Sequence, residues 1–311
     1  AIRLQFNPVG FEGRQLIMRL LYARQSAGAT LEALGFDSGQ IDILKRLRSH
    51  PTGIMAISGP TGSGKTTTLE RVLNLLVNEY PGEHILSVED PPEYVIPGVV
   101  QLPVSNAHTD EERADAFAEA IAAALRSDPN RIMIGEVRLK ASAQLAFRAA
   151  LTGHAVYTTI HTNDALGVIS RFMDIGIEAY MLKDPSVMRG MTAQRLVRKL
   201  CPDCRVRVEK DSDLPGDMYS RLRAKLPDND LYKVGHGCDK CHHGFLGRTI
   251  ITEIIEPDGV LLELLSTGQR IKAEEYWQNE LGGKSMKFYA LKKMAMGLVD
   301  PEEIERKIGL I

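Results

Sequence analysis

Gly53-Ile54-Met55-Ala56-Ile57-Ser58-Gly59-Pro60-Thr61-Gly62-Ser63-Gly64-Lys65-Thr66-Thr67 is the stretch on which the fold turns. Its first six residues form an apolar run suited to a buried strand. Residues 59–66 then read GxxxxGK[ST], and the chain from Thr66 to Leu73 is compatible with a helix. Strand, glycine-rich turn and helix are the context of a phosphate-binding loop. In that context the turn's backbone N–H groups wrap a β-phosphate and the helix N-terminus adds its positive end. Lys65 reaches the β- and γ-phosphates, and the Thr66 hydroxyl holds magnesium. A plain glycine turn would leave a lysine followed by three threonines unexplained.

Working outward, the chain alternates. Strands are expected at 53–58, 84–88, 131–134 and 155–160, with a short edge strand at 99–102. Helices are expected at 65–79, 114–126 and 141–151, with another starting at 165. Strands alternating with helical stretches imply an α/β sheet covered by helices on both faces. Before it, residues 2–6 and 15–21 read as two short strands, 25–36 as a linker and 37–49 as a helix. After it, residues 210–232 are polar and charged, and 256–311 read as helices, one of them opened by Asp300 as N-cap and Pro301.

The 311 residues suggest roughly two domains of ~150 residues. Hydrophobic content of 44% and charged content of 25% are those of a globular protein. A net charge of −2 gives no support for a globally basic nucleic-acid binder. No apolar run reaches the ~18–20 residues that span a bilayer. The chain opens without Met on strand-like residues, so it reads as a fragment, and a missing signal or anchor carries little weight.

Acids and histidines gather where strands end. Glu89-Asp90-Pro91-Pro92-Glu93 follows the 84–88 strand, and the two prolines aim three carboxylates at one place. A carboxylate there can orient or deprotonate a water attacking a γ-phosphate. Glu136 follows the 131–134 strand in Gly135-Glu136-Val137-Arg138, a Walker B arrangement with Glu as magnesium ligand. His154 and His161 bracket the 155–160 strand. His161 lies at its carboxyl end, the side on which such sheets bind ligands, whereas His154 is equally compatible with a structural role.

All four cysteines fall in two CxxC pairs, Cys201/Cys204 and Cys238/Cys241, separated by 33 residues. Two such turns supply the four thiolates of a closed, structural zinc site. Disulfides are the competing reading, with His242 and His243 as reserve ligands. Zinc would lend folding free energy to an excursion expected to have little core of its own.

Together these segments resemble the secretion/pilus assembly ATPase family of the GspE/PilB type, over nearly the whole chain. Residues 59–66 resemble its Walker A. Val88-Glu89-Asp90-Pro91-Pro92-Glu93 is similar to its Asp box, and Met133-Ile134-Gly135-Glu136-Val137-Arg138 to its Walker B. Thr152-Gly153-His154 through His161-Thr162-Asn163-Asp164 resembles its His box. Ala193-Gln194-Arg195-Leu196-Val197-Arg198-Lys199-Leu200-Cys201-Pro202-Asp203-Cys204, with Gly237-Cys238-Asp239-Lys240-Cys241 and Gly247-Arg248, resembles its tetracysteine region.

The resemblance implies a RecA-like P-loop NTPase core over residues 37–311, with a zinc region at 196–250 and a helical end at 256–311. Residues 1–24 are then the remnant of a small α+β N-terminal domain. It implies a cytoplasmic homo-hexamer, peripheral at the inner membrane and partnered with a platform protein, that hydrolyses ATP to assemble a type IV pilus. A type II secretion motor is the alternative. Most of the N-terminal region that docks on the platform is expected to lie outside this chain. Glu93 is implied as the catalytic carboxylate with Glu89 beside it, and Arg19 and Arg3 as arginines reaching nucleotide across an interface. The tetracysteine marks extension or secretion motors within the family. Leu139 and Ala141 stand where the family usually has Asp and Glu, with Lys140 between them. Asp128-Pro129-Asn130 replaces its DPD, and Ala122 replaces an arginine while Arg126 is kept. A nucleic-acid motor is disfavoured for want of a basic groove with aromatic platforms. A non-hydrolysing nucleotide-binding regulator stays open because of the departures after Arg138.

Overall fold

A computed structural model describes residues 2–9, 13–20, 24–25, 30–104 and 109–311. The chain opens with a hairpin in which β1 (Ile2–Val9) pairs antiparallel with β2 (Gly13–Leu20), Arg3 opposite Arg19. A two-residue strand, β3 (Arg24–Gln25), follows. The stretch expected as linker ends in one helical turn, α1 (Leu31–Leu34). The Thr30 hydroxyl accepts the Ala33 N–H, and Gly35 stops the turn at φ 110°. Helix α2 (Ser38–Ser49) starts at a reciprocal capping box between Asp37 and Gln40.

The core follows in the expected alternation. It runs β4 (Gly53–Ser58), α3 (Lys65–Glu79), β5 (Ile85–Glu89), β6 (Tyr94–Val95), β7 (Val99–Pro103), α4 (Asp110–Leu125), β8 (Arg131–Ile134), α5 (Lys140–Leu151), β9 (Ala155–Ile160), α6 (Gly167–Ile175) and α7 (Ala179–Leu182). Two strands that the sequence pattern conceals complete it, β10 (Met188–Leu200) and β13 (Phe245–Ile255). Between them lie β11 (Val206–Val208), α8 (Met218–Lys225) and β12 (Leu231–Lys233). Helices α9 (Gly259–Ser266), α10 (Arg270–Asn279), α11 (Met286–Ala295) and α12 (Pro301–Ile308) end the chain. Asp300 caps α12 by accepting the Glu303 N–H, with Pro301 in the first turn as expected.

Among the described residues, seven strands form one sheet in the order β13-β10-β4-β9-β8-β5-β7. Every neighbouring pair is parallel except β10 with β13. Strands β4, β5, β8 and β9 are buried along their whole length, as parallel strands covered on both faces must be. Alternate residues face opposite layers. Ile54, Ala56, Ile132 and Ile134 join the layer under α5 and α6, whereas Met55, Ile57, Met133 and Tyr157 join the layer under α2 and α3.

β10 escapes the periodicity because Arg189, Thr192, Gln194, Arg195, Arg198 and Lys199 interrupt its apolar residues. Its pairing is nevertheless extensive, with Ala193 opposite Ser58 on β4 and the same residue opposite Glu253 on β13. The antiparallel turn of the chain through β13 brings Leu200 against Phe245 and so delivers both CxxC turns to one place. The excursion between them departs from expectation by having a core. Val208, Leu214, Met218, Leu222 and Leu231 are buried and continuous with the layer under α5 and α12. Among the described residues, no helix is long and apolar enough to cross a membrane.

Candidate active site and metal centre

The chemistry-bearing residues stand at the carboxyl ends of the parallel strands, where an open α/β sheet binds its ligands. The loop after β4 needs its glycines. Gly59, Gly62 and Gly64 take φ values of 144°, 76° and 88°. A Cβ on Gly59 would lie 2.5 Å from the Gln194 carbonyl oxygen. Gly64 begins α3 without any side-chain cap, which leaves the helix's first amides available to an anion. Lys65 is buried at the first position of α3, and its Nζ donates to the carbonyls of Gly59 (2.8 Å) and Pro60 (3.1 Å). Burial pulls its pKa down, with Glu136 opposing. Thr66 and Thr67 are half-buried in the same turn, and the Thr67 hydroxyl lies 3.0 Å from the Tyr94 hydroxyl.

Glu136, His161 and Lys65 converge from β8, β9 and α3. His161 Nε2 is 3.1 Å from a Glu136 carboxylate oxygen and 3.5 Å from Lys65 Nζ. Arg138 grips the same carboxylate, Nη2 donating at 2.7 Å. Burial alone would raise the Glu136 carboxyl. The Arg138 hydrogen bond and the charges of Arg138, His161 and Lys65 outweigh it and hold the group below the usual carboxylate range. His161 is depressed by burial first and by the Lys65 charge second, with Glu136 opposing.

Glu89 ends β5, two strands beyond β9, and is 5% exposed. Ser87 Oγ (2.7 Å) and Gln101 Nε2 (2.9 Å) both donate to its Oε1. Burial pushes its pKa up against those two bonds. The Asp90–Pro91 peptide is cis, and Glu93 lies half-buried on the loop before β6. That loop is fastened to α3 by the Thr67–Tyr94 contact, to β7 by Gln101 and to α4 by Arg113 near Asp90 (3.4 Å). Arg3 and Arg19 face each other in the register of the N-terminal hairpin, and their side chains lie outside the described residues. His154 sits at the opposite, amino end of β9. Its Nδ1 lies 3.0 Å from the Ala149 carbonyl at the end of α5, at the other end of the strand from His161.

Four polar residues that bond into these segments were not singled out by the sequence. Gln194, fully buried on β10, donates from Nε2 to the Ser63 carbonyl (2.8 Å) and accepts the Thr68 hydroxyl (3.1 Å). Arg195 bonds the carbonyls of Gln194 and Asn163. Glu253 on β13 accepts backbone N–H groups from Ala165 (2.7 Å) and Met286 (2.9 Å). Arg270 pairs with Asp164 at 2.8 Å. For Gln194, Arg195 and Glu253 the one available signal was a polar side chain among apolar neighbours, and Arg270 had none. The motif resemblance assigned Gln194 and Arg195 to the cysteine region instead.

The four cysteine Sγ atoms lie within 4.8 Å of one another. Cys201–Cys238, Cys204–Cys241 and Cys238–Cys241 are separated by 3.8, 3.7 and 3.6 Å. Four thiolates held about 2.3 Å from one ion stand about 3.8 Å apart along the tetrahedron's edges. The donor set therefore fits a tetrahedral metal, and these separations exclude a disulfide bond in this arrangement. His242 and His243 are exposed and stack edge-on against each other, outside the cluster among the described residues.

Residues 1–306 match the family described as "Type II/IV secretion system protein". The chain is 38% identical over 296 residues to the type II secretion system ATPase E of Vibrio cholerae, covering 94% of this chain and 56% of that protein. It is 35% identical over 307 residues to the type IV pilus assembly ATPase PilB of Thermus thermophilus, covering 97% of this chain and 33% of that protein. The chain thus spans about half the length, or less, of these relatives. Its fold is that of the pilus retraction motor PilT crystallised with ADP, with a TM-score of 0.66 at 24% identity, over 98% of this chain and 77% of that one.

Proposed function

Since the chain belongs to the type II/IV secretion system protein family, we propose that it is the ATP-hydrolysing part of a motor serving a secretion or pilus machine. The observation that carries this is the meeting of Lys65, Glu136 and His161 beside an uncapped P-loop helix at the carboxyl edge of the sheet. The backbone N–H groups of Gly59 and of residues 61–67 hold the triphosphate. Lys65 exchanges its two loop carbonyls for β- and γ-phosphate oxygens. Thr66 and Glu136 would hold magnesium, which supplies charge neutralisation between those phosphates. Glu93, with Glu89 behind it, orients the attacking water and takes its proton. His161 donates from the γ-phosphate side, and Arg19 and Arg3 reach the nucleotide from a neighbouring subunit. Cys201, Cys204, Cys238 and Cys241 would hold a structural zinc ion.

In this reading the working particle is a homo-hexamer on the cytoplasmic face of the inner membrane, docked on a platform protein. The sequence put pilus assembly first. The relatives' names stand on both sides, type II secretion and type IV pilus assembly alike. Purified protein should release phosphate from ATP, and Lys65→Ala and Glu93→Gln should abolish that release. Wild-type protein that releases none in any oligomeric state would end the motor reading. In the source cell, Lys65→Ala should remove surface pili while secretion stays normal. Cargo retained in the periplasm with pili intact would move the assignment to type II secretion.

A further inference from the structure

Gln194 touches the phosphate loop at its start, its middle and its end. Ala193 is in register with Ser58, the last residue of β4, so Gln194 lies one step further on, beneath the loop. Its backbone carbonyl occupies the space a Gly59 side chain would need. Its side-chain nitrogen would stand 3.3 Å from a Cβ on Gly64. Its amide donates to the Ser63 carbonyl at 2.8 Å, and its oxygen accepts the Thr68 hydroxyl from the first turn of α3 at 3.1 Å. The residue is 0% exposed, so these bonds have no competition from solvent.

The Ser63 carbonyl and the Gly64 N–H belong to one planar trans peptide and point in opposite directions. Holding the carbonyl down onto β10 therefore turns the Gly64 N–H up, into the concave side of the loop. Thr68 fixes the other end of the Gln194 amide and so prevents it from turning over. We propose that Gln194 is a positioning residue for phosphate binding, setting the Ser63–Gly64 peptide plane through a two-point clamp on the loop and on α3. This rests on the nucleotide-binding reading of the loop and adds to it a residue that does not touch nucleotide.

The test is ADP affinity, measured with magnesium by titration calorimetry on the full chain at one common temperature, about 10 °C below the lowest melting midpoint among the proteins compared. Gln194→Leu keeps the volume and removes both bonds. It should raise the ADP Kd roughly tenfold, about 1.4 kcal/mol, at unchanged stoichiometry. Thr68→Val keeps the packing of α3 and removes only the second clamp point, and it should raise the Kd by roughly threefold. A purely structural brace would lower the melting midpoint and leave the affinity of the folded fraction alone. Folded Gln194→Leu with a Kd within about twofold of wild type would overturn the proposal. If that variant does not fold, an unchanged Kd in Thr68→Val does the same. Wild-type protein that fails to bind ADP would remove the nucleotide reading and the proposal with it, an outcome distinct from wild type and variants binding alike.

Discussion

At the scale of single residues, each end of the sheet carries its own network of charged groups. Arg131 opens β8 at the end remote from Glu136 and is 2% exposed. Its guanidinium forks onto Glu83, donates to the Arg48 carbonyl (2.8 Å) and the Tyr157 hydroxyl (3.0 Å), and lies over the Tyr80 ring. Arg131→Ala leaves Glu83 and three acceptors, the Arg48 and His50 carbonyls and the Tyr157 hydroxyl, without their donor. It should cost about 3–5 kcal/mol, read as a lower urea midpoint at unchanged m-value. None of this was legible in the sequence, because the partners lie 26 to 83 residues away. Glu136 and His161 were legible because each follows an apolar run directly. Their electrostatics give a second expectation. Lys65 depresses His161 and Glu136 supports it. An NMR titration should therefore place His161 below 6.5, moving up in Lys65→Ala and further down in Glu136→Gln. A histidine depressed in the folded state contributes stability above 6.5 that is lost as pH falls through its folded value, so acid destabilisation from this group begins below 6.5.

Among the elements, α5 shows a local defect with a simple remedy. Leu139 is its N-cap, with N-cap backbone angles (φ −118°, ψ 155°), a side chain that caps nothing and half its surface exposed. Leu139→Asp should cap the helix and stabilise the chain by about 1 kcal/mol, measured by denaturant unfolding. The excursion at residues 201–244 allows a different test. Chelating metal from the four thiolates should raise amide exchange in the two CxxC turns. β11, α8 and β12 should stay protected, because Val208, Met218, Leu222 and Leu231 are buried in the layer they share with the main sheet. The sequence revealed β4, β8 and β9, whose residues are apolar on both faces. It concealed β10, where Gln194 bonds the phosphate loop, Arg195 the loop after β9 and Arg198 the helix α12. Helices α9 to α12 were legible from caps and periodicity, whereas the layer they share with the sheet was not.

Across the whole molecule, function and stability are separated along the strand direction. The carboxyl edge holds Lys65, Glu89, Glu136 and His161, and the amino edge holds the Arg131 network. Glu93→Gln should therefore stop phosphate release while shifting the thermal midpoint by less than about 2 °C, and Arg131→Met should do the reverse. The bulge in β10 between Arg198 and Leu200 is held by α12, where Glu303 accepts both the backbone and the side-chain N–H of Arg198. Just beyond it stands Cys201, seven residues from Gln194, roughly 23 Å at about 3.3 Å per residue. The thiolate cluster is thus the peg at the far end of the strand that floors the phosphate loop. Fraying that starts at the peg has to unzip Leu200 and Val197 before it loosens the floor.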